Sequence, residues 1–167
     1  MLIYPKIYLD NVKKIDIKLL KEFNIKGLLL DVDNTLIDMD YNLLDGVIQW
    51  CEELKNHDIK ICILSNTSNK KKVTNVANQL KIPYIYFAKK PFKSGFLKGK
   101  ETLKINNNNE IAAVGDQIFT DVIGANRAGM ISILVNPISK KDIWITQIKR
   151  PIENLIIKRY CKKYGGK

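Results

Sequence analysis

An apolar run that begins at residue 27 ends in two carboxylates, Asp31 and Asp33, with Thr35 close behind. Two acids this close repel each other when ionised, so the pair requires a cation or an unequal sharing of a proton. An apolar run of this length is typical of a strand buried on both faces of a parallel sheet. The chemistry of such sheets lies beyond the carboxyl ends of the strands, where both acids would lie. A solvated Asp-Asn turn is the structural alternative.

Polar side chains also follow the next three apolar runs. The polar residues after the first four predicted core strands are Asp31 and Asp33, Ser65 and Asn66, Lys90, and Asp116 and Asp121. Because the carboxyl ends of parallel strands meet at one edge of a sheet, we expect these side chains to converge. Carboxylates beside a hydroxyl and an ammonium group indicate a site for Mg²⁺ and phosphate, since Mg²⁺ prefers oxygen ligands. Taken singly, Ser65 and Asp121 also fit helix caps, and Lys90 fits a surface lysine.

Strand and helix patterns alternate along the chain, which is typical of a parallel sheet with right-handed crossovers. Strands are predicted at about residues 26–32, 60–64, 83–87, 110–115 and 131–135, and helices at about 44–56, 73–80, 93–105 and 121–128. Asp16 is the predicted N-cap of a short early helix, and the tail is predicted to be helical after Pro151. The predicted fold class is α/β: a three-layer, Rossmann-like arrangement around a mostly parallel five-stranded sheet.

The length of 167 residues suits a single domain with a sizeable core. The predicted parts of this domain are a lead-in at residues 1–25, a core at about 26–137 and a basic helical tail at 138–167. About 32 residues separate Asp33 from Ser65, and the interval from Ser65 to Lys90 is similarly short. Neither interval can hold an inserted cap domain, so we expect an open site.

The composition limits the chemistry that the chain can perform. His57 is the one histidine, it follows a helical pattern, and no nucleophile-elbow sequence supports a Ser-His-Asp triad. The scattered Cys51, Cys62 and Cys161 suggest neither a disulfide framework nor a zinc site. No apolar run is long enough to span a bilayer, and the start lacks the apolar core of a signal peptide. We therefore expect a cytoplasmic protein that works with carboxylates, hydroxyls and lysines.

The formal net charge of +11 indicates anionic partners. Five of the 17 acids lie within residues 31–45, whereas nine basic residues and two acids lie between residue 140 and the end. The basic residues of the tail are Lys140, Lys141, Lys149, Arg150, Lys158, Arg159, Lys162, Lys163 and Lys167, and its acids are Asp142 and Glu153. Its apolar residues could form one stripe along the helix: Trp144, Ile148, Ile152, Leu155, Ile156 and Tyr160. Such a tail could dock on the sheet, contact the inner face of an anionic membrane, or attract RNA.

Four short motifs, taken in order, carry a resemblance to a known family. They are residues 30–36 (LDVDNTL), 64–67 (LSNT), 89–91 (KKP) and 115–121 (GDQIFTD). Because it contains these motifs, the chain resembles the haloacid dehalogenase-like (HAD) phosphatases of subfamily IIIA and is most similar to their YqeG branch. The resemblance covers roughly residues 5 to 140. The first and last motifs are highly specific, and the middle two become specific through their order.

The resemblance implies a Mg²⁺-dependent phosphatase that works through an aspartyl-phosphate intermediate. Asp31 would be the nucleophile, and Asp33 would act first as general acid and then as general base. Lys90 would neutralise charge on Asp31 and on the phosphate. The implied phosphate contacts are Ser65, Asn66, Lys90 and Thr35, and the implied metal ligands are Asp31, Asp33 through its backbone carbonyl, Asp116 and Asp121.

An open site admits bulky phosphorylated substrates such as a lipid, nucleic acid, protein or glycan. The related mitochondrial enzyme is a phosphatidylglycerophosphate phosphatase, so the resemblance implies a lipid phosphate. Two other functions remain open. A phospho-receiver domain also has an acidic pocket in a parallel sheet, but its acceptor Asp lies later in the chain and no second Asp follows two residues on. A basic RNA- or membrane-binding module with an inert HAD site is the other alternative.

Overall fold

The computed structural model describes residues 1–139 and 144–165, with the backbone alone for residues 144–147. Part of the predicted basic tail therefore lies outside the described residues. That part comprises Lys140, Lys141, Asp142, Lys167 and the side chain of Trp144. In the described part of the chain, no helix is both long enough and apolar enough to cross a membrane.

The described residues contain six strands, which form one parallel sheet. In chain order they are β1 (Ile7–Leu9), β2 (Gly27–Leu30), β3 (Lys60–Leu64), β4 (Tyr84–Ile85), β5 (Ile111–Gly115) and β6 (Ile131–Val135). The spatial order is β1-β6-β5-β2-β3-β4, and each neighbouring pair is parallel. The predicted α/β class with a mostly parallel sheet flanked by helices is confirmed.

Helices cover both faces of this sheet. They are α1 (Ile17–Glu22), α2 (Val47–Asn56), α3 (Lys70–Leu80), α4 (Lys93–Leu103), α5 (Ile123–Arg127) and α6 (Trp144–Tyr164). Leu28 and Leu30 of β2 pack in one apolar cluster with residues of α2 and α3, while Leu29 packs in a second cluster with residues of α4 and α5. Side chains that alternate across a buried strand thus explain why the run at residue 27 is apolar throughout.

The register of the three central strands brings their carboxyl ends to one level. Leu30 pairs with Ile63 of β3 on one side and with Val114 of β5 on the other. The pairing continues one residue further, because the backbone N–H of Asp31 donates to the carbonyl of Val114 at 2.9 Å. Residues that follow these three strands therefore leave the sheet side by side.

The sheet has one more strand than the sequence predicted. The additional strand, β1, lies in the predicted lead-in and pairs only with β6, from Ile7↔Ile133 to Leu9↔Val135. Three residues at a sheet edge carry too short an alternation to be recognised as a strand in the sequence. In the same lead-in, the predicted cap is confirmed: Asp16 Oδ1 accepts a hydrogen bond from the Leu19 N–H at 2.8 Å.

Two helix boundaries near the C-terminus differ from the prediction. The helix predicted at 121–128 begins instead as a π-helical turn, Ile118–Val122, which runs into α5. Helix α6 begins at Trp144 and contains Pro151, so the expected start after Pro151 was wrong. Proline lacks a backbone N–H and is common at helix starts, which explains the expectation. Arg150 and Glu153, on either side of Pro151, both contact the rest of the protein.

Two glycines that weaken the sequence pattern of α4 allow the helix to approach its neighbours closely. A Cβ atom at Gly95 would lie 2.3 Å from the backbone oxygen of Ala88, and one at Gly99 would lie 2.7 Å from Leu29 Cδ2. The first contact matters for the site, because Ala88 lies two residues before Lys90. Helix α4 thus supports the loop that carries Lys90 through a contact that only glycine permits.

We expect Gly95→Ala to lower the free energy of unfolding by about 1–3 kcal/mol, since overpacking against rigid backbone outweighs the gain in helix propensity. Urea denaturation measures this change. Lys98→Ala, on the exposed face of the same helix, is the control and is expected to change stability by less than about 0.5 kcal/mol. Equal stability of the two variants would contradict the proposed close contact.

Candidate active site

A buried lysine joins two carboxylates that are far apart in the sequence. Lys90 Nζ lies 2.8 Å from Asp31 Oδ1, just past β2, and 2.6 Å from Asp121 Oδ1, in the π-helical turn after β5. The three side chains are between 3% and 9% exposed. A buried arrangement of this kind is costly unless its charges are paired. The structure therefore brings together three of the residues that the sequence predicted to converge.

A third carboxylate, Asp116, completes the cluster. Asp31, Asp116 and Asp121 each offer a carboxylate oxygen, and the three oxygens lie within 4.8 Å of one another. Gly115 makes room for this approach, because a Cβ atom there would lie 2.2 Å from the Asp121 carboxylate. The Gln117 N–H donates to Asp121 Oδ2 at 3.1 Å and fixes the orientation of that side chain. The donor set consists of oxygens, which suits Mg²⁺.

The loop that carries Lys90 is fastened to the loop after β3. Asn66 Oδ1 accepts from the Lys90 N–H at 2.6 Å, and Asn66 Nδ2 donates to the Lys90 carbonyl at 2.9 Å. This two-point contact was not foreseen, since Asn66 was predicted only as a phosphate contact. Ser65 is fully buried, and its Oγ accepts from the Thr67 N–H at 3.3 Å. Asn66 thus fixes the backbone from which the Lys90 side chain reaches the carboxylates.

Asp33 and Thr35 lie on opposite sides of the loop that follows β2. Asp33 Oδ1 accepts from Lys72 Nζ of α3 at 2.7 Å, and the Asp33 side chain is 37% exposed. Thr35 is buried, and its Oγ1 lies 3.5 Å from Asp116 Oδ1. Asp33 lines an open cavity at this edge of the sheet. Thr35 does not line that cavity and lies instead against Asp116.

Burial is the largest single influence on the pKa of Asp31, Asp116 and Lys90. It raises the pKa of Asp31 to about 7, against the opposing effect of Lys90. Burial and then the neighbouring charge of Asp31 raise the pKa of Asp116 well above its usual range, although Arg150 opposes the shift. Burial acts to lower the pKa of Lys90, but the charges of Asp121 and Asp31 outweigh it and raise the pKa. The acids are thus short of positive charge, which a divalent cation would supply.

A cavity of about 390 Å³ opens at this edge of the sheet. Its lining residues are Asp31, Asp33, Asn34, Met39, Tyr41, Ser65, Asn66, Thr67, Lys72, Lys90, Gln117, Thr120 and Lys149. Five of the predicted site residues line the cavity, whereas Thr35, Asp116 and Asp121 lie in the wall behind it. A cavity of this size is larger than one phosphate group requires, so it has room for part of the leaving group.

Among the described residues, Lys149, which lines the cavity, and three further charged residues near the site were not predicted as site residues. Lys72 contacts Asp33, Arg150 contacts Asp116, and Glu153 contacts Arg150 at 3.4 Å. In the sequence Lys72 is one of three consecutive lysines, and Arg150 and Glu153 belong to the basic tail. Of these three residues, only Glu153 stands out in the sequence, because it is the one acid in the described part of that tail. Acids in such a segment require a partner when they are buried.

The exposed apolar residues of α6 form a shorter stripe than the sequence predicted. Ile148, Ile152 and Leu155 are at least half exposed. Ile156 instead packs against the apolar cluster of Ile118, Val122 and Leu134, and Tyr160 packs against Tyr4 with ring centroids 5.9 Å apart. One side of the helix therefore docks on the protein while the other faces solvent.

The fold and this arrangement of acids define the class of protein. The structure superposes on the cobalt-bound deoxy-D-mannose-octulosonate 8-phosphate phosphatase YrbI of Haemophilus influenzae with a TM-score of 0.56 at 15% identity. The superposition covers 84% of this chain and 91% of that one. The class that the fold defines is thus an α/β protein with the same fold as that phosphatase.

The sequence comparisons narrow the class to a family. The family model described as Mitochondrial PGP phosphatase matches residues 1–139, and the chain belongs to this family of HAD phosphatases. The chain is 37% identical to the probable phosphatase YqeG of Bacillus subtilis over 160 residues, which cover 95% of this chain and 92% of that protein. The predicted resemblance to the YqeG branch is thereby confirmed.

A second relative is a phosphatidylglycerophosphate phosphatase 1, chloroplastic/mitochondrial, of Arabidopsis thaliana. It is 27% identical over 175 residues, which cover 96% of this chain. The chain spans about half of that relative's length, 49%. Both relatives are named as phosphatases, so a phosphorylated substrate is expected for members of the family.

Proposed function

We propose that the protein is a Mg²⁺-dependent phosphomonoesterase in which Asp31 forms an aspartyl-phosphate. The observation that carries this proposal is the buried cluster in which Lys90 contacts Asp31 and Asp121, with Asp116 beside them. The roles given to these residues are those that the HAD resemblance implies, and the geometry is compatible with each.

The residues present fit a divalent cation. Among the described residues, the cluster contains four carboxylates, and Lys90 and Arg150 are the cationic side chains in contact with them. The carboxylates are those of Asp31, Asp116, Asp121 and Glu153. The formal excess of two negative charges matches one divalent cation, which Asp31, Asp116, Asp121 and the Asp33 carbonyl would hold. When bound, the cation would neutralise charge on the phosphoryl oxygens and favour the ionised form of the acids.

Asp31 is the proposed nucleophile because it lies at the floor of the cavity beside Lys90. Its carboxylate oxygen attacks phosphorus, and the bond from phosphorus to the leaving oxygen breaks. Asp33, two residues on and more exposed, donates the proton that the leaving oxygen takes up. Asp33 then removes a proton from water as that water attacks the aspartyl-phosphate, which releases inorganic phosphate and regenerates Asp31.

Lys90 and Ser65 are the proposed phosphate-binding side chains, because both line the cavity beside Asp31. Lys90 stabilises the charge that develops in phosphoryl transfer, where positioning and electrostatics supply most of the catalysis. Asn66 also lines the cavity, and we propose that it acts through the two hydrogen bonds that hold the Lys90 backbone. Thr35 is proposed to act through Asp116 rather than on the phosphate.

The proposed substrate carries a bulky anionic leaving group, as a phosphatidylglycerophosphate does. Two observations support this. The cavity is open and exceeds the size of a phosphate, and Lys72 and Lys149 line it in addition to Lys90. Lys72 is paired with Asp33, so Lys149 is the lysine that we assign to a second negative charge on the substrate. The family match to PGP phosphatases points to the same class of substrate.

We also propose that the lead-in, core and tail of residues 1–167 act as one hydrolase unit that contacts an anionic membrane at its inner face. Exposed Ile148, Ile152 and Leu155 lie on α6 among the basic residues of the tail. Such a stripe would insert between lipid headgroups while the lysines contact their charges. RNA is the alternative anionic partner, and salt would weaken the binding of either.

The first prediction from the proposed function concerns the nucleophile. Asp31→Asn is expected to lower kcat/KM for p-nitrophenyl phosphate at least a thousandfold, about 4 kcal/mol, because the amide keeps the shape but cannot attack phosphorus. Chelation of Mg²⁺ with EDTA is expected to abolish wild-type activity. Asp40→Asn, at an exposed position of the same loop, is the control that should leave turnover unchanged. Near-normal turnover by Asp31→Asn would exclude the mechanism.

The second prediction concerns the leaving group. Lys149→Met is expected to raise KM about tenfold for glycerophosphoglycerophosphate, the soluble headgroup with a second phosphate, because a charge-assisted contact is lost. KM for p-nitrophenyl phosphate, whose leaving group lacks that charge, should stay within about twofold. Lys162→Met, exposed near the end of the same helix, is the matched control. Equal effects on both substrates would remove Lys149 as a specificity residue.

The third prediction concerns the stripe on α6. Sedimentation with anionic vesicles at low salt should retain the wild-type protein, and replacement of Ile148, Ile152 and Leu155 by Gln should release it. Neutral vesicles should retain neither protein. Leu97→Gln, which replaces an exposed leucine of α4, is the control. Retention of the triple variant on anionic vesicles would show that this stripe is not the contact, and binding to RNA alone would favour the alternative partner.

A further inference from the structure

Helix α6 places an arginine on one of the candidate metal ligands. Arg150 Nη1 donates to the backbone oxygen of Asp116 at 2.8 Å, and Arg150 Nη2 donates to Asp116 Oδ2. The Arg150 side chain is 15% exposed and that of Asp116 is 1% exposed, so the contact is largely shielded from water. The guanidinium group is rigid and binds both the main chain and the side chain of Asp116. It therefore fixes the side-chain rotamer of Asp116.

Glu153 contacts Arg150 and also connects α6 to the turn that carries Asp121. Its Oε2 lies 3.4 Å from Arg150 Nη1, and its Oε1 accepts from the Phe119 N–H at 3.1 Å. Phe119 belongs to the π-helical turn Ile118–Val122, which also carries Asp121. One turn of α6 thus contacts both segments that bear acids of the cluster. Glu153 is 2% exposed, a depth at which a carboxylate requires such partners.

The packing of α6 against the rest of the protein does not depend on Arg150 alone. Ile156 and Ile157 pack against the apolar cluster of Ile118, Val122 and Leu134. Tyr4 packs against both Tyr160 and Tyr164 of α6, with ring centroids 5.9 and 6.0 Å apart. These apolar and aromatic contacts remain when Arg150 is replaced, so variants at this position are expected to fold with α6 in place.

We propose that Arg150, held by Glu153, is a positioning residue that orients Asp116 for divalent-metal binding. The proposal rests on the proposed function, because it requires Asp116 to be a metal ligand. It extends the site to the C-terminal helix, which lies beyond the residues matched by the family model. Partners that orient a metal ligand commonly change metal affinity or activity 10–100-fold when they are replaced.

The direction of the change in Mg²⁺ affinity shows whether Arg150 acts by orienting Asp116 or through its charge alone. A guanidinium beside a metal site repels a cation, so removal of its charge alone would tighten Mg²⁺ binding. Loss of the two-point contact with Asp116 would instead weaken binding. Arg150→Lys keeps the positive charge but cannot reproduce the fork, because a lysine presents a single ammonium group. Arg150→Met and Arg150→Lys together therefore distinguish the two effects.

The experiment measures Mg²⁺ affinity by calorimetry and Co²⁺ coordination by absorption spectroscopy on the full chain, with turnover of p-nitrophenyl phosphate in parallel. We expect Arg150→Met and Arg150→Lys to weaken Mg²⁺ binding about tenfold or more and to alter the Co²⁺ spectrum. Glu153→Gln keeps an acceptor for the Phe119 N–H and is expected to show a smaller change in the same direction. Arg159→Met, an exposed arginine of the same helix, should match the wild type.

Tighter or unchanged Mg²⁺ binding by Arg150→Met would overturn the proposal, as would wild-type binding and a wild-type Co²⁺ spectrum for Arg150→Lys. Circular dichroism checks the fold of each variant, and Arg150→Lys and Glu153→Gln decide the question if Arg150→Met does not fold. Absence of Mg²⁺ binding by the wild type would instead reject the metal-dependent function itself. The two failures are therefore distinguishable.

Discussion

The arrangement of buried charge at the carboxyl edge of the sheet constrains the rest of the structure. Lys90 bridges Asp31 and Asp121, and Asp116 lies within the same small volume. Buried carboxylates at such separations are unfavourable unless cations and hydrogen bonds compensate them. The surrounding chain supplies that compensation: Asn66 fixes the backbone of Lys90, and the Gln117 N–H fixes Asp121. The loop after β3 and the segment after β5 thus each supply a group that fixes part of this cluster.

Those parts of the site that follow from strand order could be predicted from the sequence. The apolar run of β2 is buried on both faces, so the sequence pattern marked its position, although the strand ends at Leu30 rather than at about residue 32. Once the strands are parallel, the acids and Lys90 must share an edge. The prediction needed no knowledge of side-chain contacts, because topology alone brings the strand ends together.

The contacts made across the fold could not be predicted in the same way. Arg150 lies 34 residues from Asp116, and nothing in the pattern of the tail shows which face of α6 turns toward the site. Pro151 favoured a helix start at that position, although the observed helix runs through it. β1 was missed for a related reason, since a three-residue strand is defined by its pairing with β6. Interactions between distant segments, rather than local pattern, determine all three features.

The central claim is that Asp31 carries the phosphoryl group, and trapping that intermediate tests it most directly. Asp33→Asn should still accept phosphate from p-nitrophenyl phosphate, a good leaving group, but should release it slowly because no base activates water. Mass spectrometry of the protein, quenched in acid and digested, should then find one phosphoryl group on the peptide that contains Asp31. The double variant Asp31→Asn/Asp33→Asn should show none. Full turnover without an adduct, or a phosphoryl group on a different residue, would contradict the account.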